Sequence, residues 1–238
     1  MDICGRPGAE TGFRLHDSNP GKITMKAGGV GRNIAHNLRL LGLDVSMITA
    51  FGDDEFYPFL RDNLAELGID CSESVFAGRD ESDADAVKTV NAADAEKNAG
   101  AATSVYLYIL DGEGDMCVAV SDMDVVSLIT PEHIKTRLDY VNSFDAVVID
   151  ANLTGETIEF ICGHCRVPVY ADPVSVTKAG KLRSVLPYLR TLKPNRLEAE
   201  LLTGETEPAE AVAALRRLGV ERPFVSAGAG GIYGIEDC

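Results

Sequence analysis

Short apolar runs alternating with amphipathic segments constrain the fold of this 238-residue chain more than any single residue does. Val45–Phe51, Ala146–Asp150, Val167–Ala171 and Pro223–Ser226 read as strands. Helical spacing runs through Gly31–Leu41, Phe56–Leu67, Pro131–Tyr140, Thr154–Cys162, Arg196–Leu202 and Pro208–Leu218, several with Gly or Pro at their ends. Strands separated by helices pair through crossovers, so the expected fold class is a layered α/β architecture with a mostly parallel sheet. Asn152, Asp172 and Asn195 each follow a strand in this reading, where open α/β sheets place ligands. Two stretches break the alternation. Lys22–Lys26 reads as a strand of antiparallel type, as do Ser104–Leu110 and Met116–Ser121, joined by a turn at Asp111–Gly114. Residues 78–102, rich in Ala, Asp, Asn, Glu and Lys with few large apolar side chains, read as a mobile insertion.

A glycine cluster running straight into a helix marks the first candidate site. Gly28, Gly29 and Gly31 let backbone approach a bound molecule without a Cβ between, and the first turn of the following helix offers free N–H groups to oxygen. Ile34, Leu38 and Leu41 recur at helical spacing, so that face is expected to be buried while Asn33 can point at the pocket. An ordinary tight loop-helix junction would look the same. A dinucleotide fold is excluded, because Ile34 stands where its third glycine is required and Gly228–Gly231 precedes a strand instead of a helix.

Composition narrows the partners. With 45% hydrophobic residues and a mean hydropathy of +0.01, the chain can bury a core, and no run is long enough to span a membrane. A net charge of −15 argues against nucleic-acid backbones and anionic membranes as partners. No secretory signal opens the sequence, so a cytoplasmic location is expected, with the six cysteines reduced. Cys162-Gly-His-Cys165 has the spacing of a disulfide oxidoreductase, but the pair falls at the end of its helix, where the dipole disfavours a thiolate. The expectation is an inert structural pair. No second Cys/His pair follows at zinc-finger spacing, and His16, His36, His133 and His164 form no metal or triad pattern.

Three motifs in order carry a family resemblance. Gly28-Gly-Val-Gly-Arg-Asn33, Lys193-Pro-Asn195 with Glu198, and Val225-Ser-Ala-Gly-Ala-Gly-Gly-Ile-Tyr233 resemble signatures of the PfkB/ribokinase family of carbohydrate and nucleoside kinases. Asp17-Ser-Asn-Pro-Gly-Lys22, Ser121-Asp-Met123 and Asp172-Pro-Val-Ser175 resemble its pseudouridine kinase branch, and the likeness covers nearly the whole chain. It implies one kinase domain over residues 1–238 with a ribokinase-like α/β/α fold. A small β-lid would be built from segments 11–27 and 103–122, through which a homodimer is plausible. The implied reaction moves the γ-phosphoryl group of ATP, held with Mg2+, to a small nucleoside or sugar, first of all to the 5′-hydroxyl of pseudouridine. Asp2, Gly28, Gly29 and Asn33 would hold sugar hydroxyls, with Asp17 as a further substrate contact; Lys178, six residues after Asp172, is a candidate phosphate- or base-contacting cation, or else an ordinary surface lysine. Asn195, Ser226, Gly228 and Gly231 would hold the nucleotide, and Glu198 the metal through water.

Each residue also has a plainer reading. Glu198 would be a solvated helix residue, Asn195 an N-cap, Gly228–Gly231 a hairpin turn, and Asp17 with Asn19 a turn before Pro20-Gly21. The family's Gly-Ala-Gly-Asp segment, which supplies its catalytic base, is absent from these 238 residues, and Asp2 lies where the family has already completed a strand. The chain is therefore expected to be a partial kinase domain, inactive as it stands and without an assigned catalytic residue. Another sugar or nucleoside kinase, or a non-catalytic binding module or gene relic, remains the alternative.

Overall fold

The computed structural model describes residues 1–8, 13–77 and 101–235. The expected insertion, apart from its last two residues, and positions 11 and 12 of the first lid segment lie outside the described residues. Contacts gather into two units, Met1–Leu128 and Ile129–Cys238.

In the first unit, β1 (Asp2–Pro7), β2 (Gly21–Lys26), β5 (Val105–Leu110) and β6 (Met116–Asp122) form one sheet in the order β2-β1-β5-β6. β1 is antiparallel to β2 and parallel to β5, and β5 is antiparallel to β6. Register fixes two unlike faces, because neighbours across a ladder point the same way and successive residues point opposite ways. Met25, Ile3, Leu107 and Val120 form one row, and Ile23, Gly5, Ile109 and Val118 the next row on the same face. The other face carries Lys26, Asp2, Tyr106 and Ser121, then Thr24, Cys4, Tyr108 and Ala119. The Asp111 carboxylate accepts from the N–H groups of Glu113, Gly114 and Asp115 at 2.8–2.9 Å, closing the β5–β6 hairpin where the sequence places it.

Beside this sheet in the chain stand α1 (Val30–Leu40), β3 (Ala50–Phe51), α2 (Phe56–Glu66) and β4 (Val75–Phe76). Tyr57, Leu60 and Leu64 share one face of α2 and bury with Ala35, Phe51, Ile69 and Phe76. The Tyr57 ring lies 5.2 Å from that of Phe51 and 4.6 Å from that of Phe76. Two expectations are corrected here. α1 stops at Leu40 and Leu41 is exposed, so the buried contact of this helix is Ala35, with Ile34 and Leu38 half-buried. The strand expected over Val45–Phe51 shrinks to Ala50–Phe51, parallel to β4, plus a bridge between Ser46 and Asp70. Between them the Ser74 hydroxyl donates to Met47 O at 3.1 Å and accepts from Thr49 N–H at 3.0 Å, taking backbone groups that a ladder would have paired.

The second unit is built on three parallel strands, β7 (Val147–Asp150), β8 (Val169–Asp172) and β9 (Leu189–Leu192). Ile149, Ala171, Leu189 and Leu192 are buried in the sheet. Ile158 and Ile161 of α5 (Gly155–His164), Leu202 of α7 (Arg196–Thr203) and Leu215 of α8 (Pro208–Arg217) add to this unit's core. β10 (Phe224–Ser226) bridges to Asn195 and pairs antiparallel with β11 (Ile232–Gly234). α6 (Val176–Ala179) leads into a 3-10 segment, Gly180–Tyr188, that returns the chain to β9. The helix expected over Pro131–Tyr140 is instead two, α3 (Pro131–Lys135) and α4 (Leu138–Val141). The His133 carbonyl explains the break. It accepts from the Thr136 hydroxyl at 3.0 Å and the Arg137 guanidinium at 3.2 Å, while Arg137 N–H turns to Ile134 O at 2.9 Å.

Leu215 is wholly buried. Leu215→Ala should cost about 2–5 kcal/mol, read as a lower urea midpoint with an unchanged dependence on denaturant.

Candidate functional site

In the first unit the glycine cluster and the polar face of the sheet meet at Asp2. A Cβ on Gly28 would lie 2.0 Å from Asp2 Cγ and 2.1–2.2 Å from its oxygens, so the carboxylate occupies the space a side chain would fill. Gly29 has φ +98°, a conformation other residues seldom adopt, and its carbonyl accepts from Asn33 N–H at 2.9 Å to begin α1. Asn33 is exposed, and its Oδ1 accepts from Arg32 at 3.1 Å. Arg32 went unassigned in the sequence reading and proves central to this cluster. Its guanidinium donates to Asn63 Oδ1 at 2.7 and 3.2 Å; burial lowers its pKa, with the Asp2 charge opposing. Across the ladder from Asp2 and Cys4 stand Tyr106 and Tyr108, their rings 5.5 Å apart. The Cys4 thiol, hydrogen-bonded to the Tyr108 hydroxyl, raises that hydroxyl's pKa.

Asp17 stands apart from this cluster in its bonding. It accepts from Ser18 N–H at 2.7 Å, while Asn19 is bonded to the backbone of Arg14 at 2.6 and 2.8 Å. These polar groups close an exposed turn, in keeping with the plainer reading.

In the second unit the carboxyl ends of the strands gather the remaining candidates. Asn195 and Glu198 form a reciprocal cap on α7: Asn195 Oδ1 accepts from Glu198 N–H at 3.0 Å, and Glu198 Oε2 accepts from Asn195 N–H at 2.8 Å. Glu198 is 4% exposed, a correction to its reading as a solvated residue. Burial holds its carboxyl above the usual range and the Asp172 charge adds to this, against the Asn195 N–H bond and the Lys193 charge. Lys193 Nζ is 3.9 Å from Asp172 Oδ2. Lys178 Nζ donates to Asn152 Oδ1 at 2.5 Å.

The loop after β10 is less open than the sequence implies. N–H groups of Ser226, Ala227, Gly230 and Gly231 donate to Pro194, Gly231, Ala227 and Gly228 carbonyls at 2.9–3.1 Å. Those of Gly228 and Ala229 are left without an acceptor among the described residues. The expected cradle over Ser226–Gly231 thereby narrows to the start of the 3-10 turn Gly228–Gly230. Among the described residues no group of three or more His, Cys, Asp or Glu could hold a metal. Glu198 with Asp172 in electrostatic reach suits a hydrated Mg2+, which keeps most of its own waters.

A cleft of about 480 Å³ opens at the other edge of this unit's sheet, beside Val169 and Leu189, which begin β8 and β9. Its guanidiniums are already engaged, Arg190 with the Glu221 carboxylate and Arg216 with the Glu221 carbonyl. Cys162 and Cys165 also line it, at the end of α5 as expected. Burial, with Cys165 adding, pushes the Cys162 thiol up to about 12, and burial raises Cys165 as well. Burial thus disfavours the reactive thiolate at both.

Comparison with known proteins gives these clusters a context. The family described as pfkB family carbohydrate kinase matches residues 8–84 and 86–238. The chain belongs to that family. A pseudouridine kinase of Escherichia coli is 34% identical over 239 residues, 98% of this chain and 69% of that protein. An uncharacterized sugar kinase of the same organism is 33% identical, over 94% of this chain and 58% of that one. A carbohydrate kinase from Agrobacterium tumefaciens superposes with a TM-score of 0.75 at 27% identity, covering 95% of this chain and 67% of that one. A ribokinase from Thermotoga maritima shares the fold, with a TM-score of 0.77 at 19% identity over 99% of this chain and 71% of that one. PfkB-family carbohydrate kinases are phosphotransferases, and the ribokinase-like α/β fold expected from the sequence is the one observed.

Glu198→Gln keeps an acceptor for the cap while removing a buried charge. A carboxyl with a raised folded pKa destabilises the fold as pH rises from its unfolded value through its folded one. The variant should match the parent near pH 4 and become the more stable of the two toward pH 8, a crossover read from urea midpoints.

Proposed function

We propose that the protein binds pseudouridine and ATP with Mg2+ and serves the transfer of the γ-phosphoryl group to the nucleoside 5′-hydroxyl in the cytoplasm. The Asp2 carboxylate packed over Gly28 carries this reading. Such an arrangement presents acceptor oxygens beside exposed backbone, suited to the vicinal hydroxyls of a ribosyl ring. The likeness to a pseudouridine kinase supports the nucleoside class, and so do Tyr106 and Tyr108 on the Asp2 face, since aromatic rings favour a planar base over a bare sugar.

Asp2, the Gly28 and Gly29 backbone and Asn33 would hold and orient the ribosyl hydroxyls, with Arg32 keeping Asn33 and Asn63 in place. In the second unit Lys178 would be a further substrate contact, a cation for a phosphate or base oxygen. Asn195 and Ser226, with the N–H groups of Gly228 and Ala229 that find no acceptor among the described residues, would contact the nucleotide, and Glu198 would accept from metal-bound water. ATP supplies the phosphoryl group and Mg2+ offsets its charge. For Asp17 only a peripheral contact is proposed, since its carboxylate is held in a surface turn.

Calorimetric titration of the 238-residue chain with pseudouridine, uridine and ribose tests the reading, followed by a phosphorylation assay. Pseudouridine should bind tightest and ribose at least about 10-fold more weakly. Asp2→Ala should weaken nucleoside binding by roughly 10–100-fold, the loss of a charged hydrogen bond, without lowering the melting temperature. Ribose binding as tightly as pseudouridine would favour a sugar kinase instead.

The apolar sheet face supports a homodimer through the lid. Ile23 is 77% and Val120 66% exposed, and Met25, Leu107 and Val118 extend the same patch. Val120→Asp should convert the assembly to monomer in sedimentation velocity while leaving the melting temperature of the monomer unchanged.

A further inference from the structure

Within the first unit, Arg32 of α1 spends its guanidinium on neutral acceptors. Nε and Nη2 donate to Asn63 Oδ1 on α2 at 3.2 and 2.7 Å. Nη1 donates to Asn33 Oδ1 at 3.1 Å, with His36 Nδ1 3.4 Å from the same nitrogen. Among the described residues Arg32 is bonded to no carboxylate, although the Asp2 charge reaches it and opposes the lowering of its pKa by burial. A guanidinium is a planar, rigid fork, so fixing one edge on Asn63 fixes the direction of the other. The helices beneath are tied at both ends. Gly29 gives α1 no side-chain cap, so its first turn depends on the bond to Asn63, and at its last turn Arg39 Nε donates to Leu67 O at 3.2 Å.

The consequence falls on Asn33. A guanidinium only donates, so the amide atom that faces it is the oxygen, and the amide nitrogen points elsewhere. Asn33 is exposed, and its two side-chain N–H groups have no acceptor among the described residues. Asp2 is the converse case. Its carboxylate oxygens lie against Gly28 and accept no hydrogen bond among the described residues. Arg32 connects the two, bonded to Asn33 and within electrostatic reach of Asp2. Unused donors and unused acceptors are together satisfied by hydroxyl groups, which supply both.

We infer that Arg32 and Asn63 are positioning residues that set the hydrogen-bonding polarity of the ribosyl subsite: Asn63 holds the guanidinium, the guanidinium takes the Asn33 oxygen, and Asn33 meets the ligand with its N–H groups. Asp2 then accepts from a ribosyl hydroxyl while Asn33 donates to a hydroxyl oxygen. The inference deepens the ribosyl part of the reading proposed above and does not depend on the base.

Binding of pseudouridine and of ribose to Asn33→Ala, Asn33→Asp, Asn63→Ala, Asn63→Asp and the double variant Asn33→Ala/Asn63→Ala tests it. Asn33→Ala should weaken both ligands about 10-fold, as expected for a lost hydrogen bond. Asn33→Asp keeps an oxygen for Arg32 but has no N–H to offer, and should weaken them at least as much. Affinity retained in that variant would show the oxygen at work and overturn the inference. Asn63→Ala should cost about 3-fold, while Asn63→Asp, which can still hold the guanidinium, should restore affinity to within about 2-fold of the parent. The double variant should bind no worse than Asn33→Ala alone, because Asn63 acts through Asn33. Additive losses, or equal losses in Asn63→Asp and Asn63→Ala, would mean a merely structural role and overturn it as well. A readout without ligand is the order parameter of the Asn33 side-chain amide from nitrogen relaxation. It should fall in Asn63→Ala and Arg32→Met and hold in Asn63→Asp. A parent chain that binds neither ligand would overturn the ribosyl reading and this inference with it; a parent that binds, with the amide equally ordered in all folded variants, would overturn the inference alone.

Discussion

The parallel register of β7, β8 and β9 determines where the polar groups at the strand ends of the second unit can stand. Asp150 lies opposite Asp172, and Ala171 opposite Leu192. Because the strands run the same way, their carboxyl ends fall along one edge, and the chain leaving each one must turn there. Asn152, Val174 and Asn195 are all products of those turns. The backbone groups freed where the ladder stops are taken up by side chains: Asn152 N–H by Asp150, Val174 N–H by Asp172, Asn195 N–H by Glu198. Orphaned backbone polarity at the end of a sheet is costly unless satisfied. Here its satisfaction and the placing of charged side chains are one set of bonds.

The first unit solves a different problem with the same economy of parts. A four-stranded sheet has two faces, and strict alternation along β1 sends Asp2 and Cys4 one way and Ile3 the other. Polar and aromatic groups collect on the face with the glycine cluster, while branched and thioether side chains collect on the opposite one. Arg32 ties the start of α1 to α2 through Asn63, so the helix that carries Asn33 is anchored by polar bonds at its first turn and by little more than Ala35 in the core.

Legibility in the sequence followed the range of the forces involved. The helices starting at Gly155, Arg196 and Pro208 were readable because their caps, Thr154, Asn195 with Glu198, and Pro208 itself, are local. The β5–β6 hairpin was readable for the same reason, since Asp111 closes it within four residues. What escaped depends on distant partners. Ser74 interrupts the ladder near Met47 from 27 residues away, and Lys181 reaches back 30 residues to Ala151. The split at Thr136–Arg137 is local, yet it turns on which hydroxyl and guanidinium conformations win a single carbonyl, which spacing does not encode. Among the site residues, the resemblance grouped Asp2 with Gly28 as contacts of one sugar, whereas their packing against each other, the bonding of Arg32 and the Asn152–Lys178 pair emerge only once the chain is closed.

The alternation in β1 also has a consequence for how such a chain can diverge. With a period of two, inserting or deleting one residue inside β1 would exchange the two faces across that point, turning the Asp2 carboxylate or the Cys4 thiol toward the apolar rows, or Ile3 toward the glycines. Length changes are then tolerable only in pairs, or outside the strands altogether. Lineages descended from this sheet should therefore vary freely in the connections between strands while the spacing from Asp2 to Gly5 stays constant, a constraint of parity imposed by a backbone that can face only two ways.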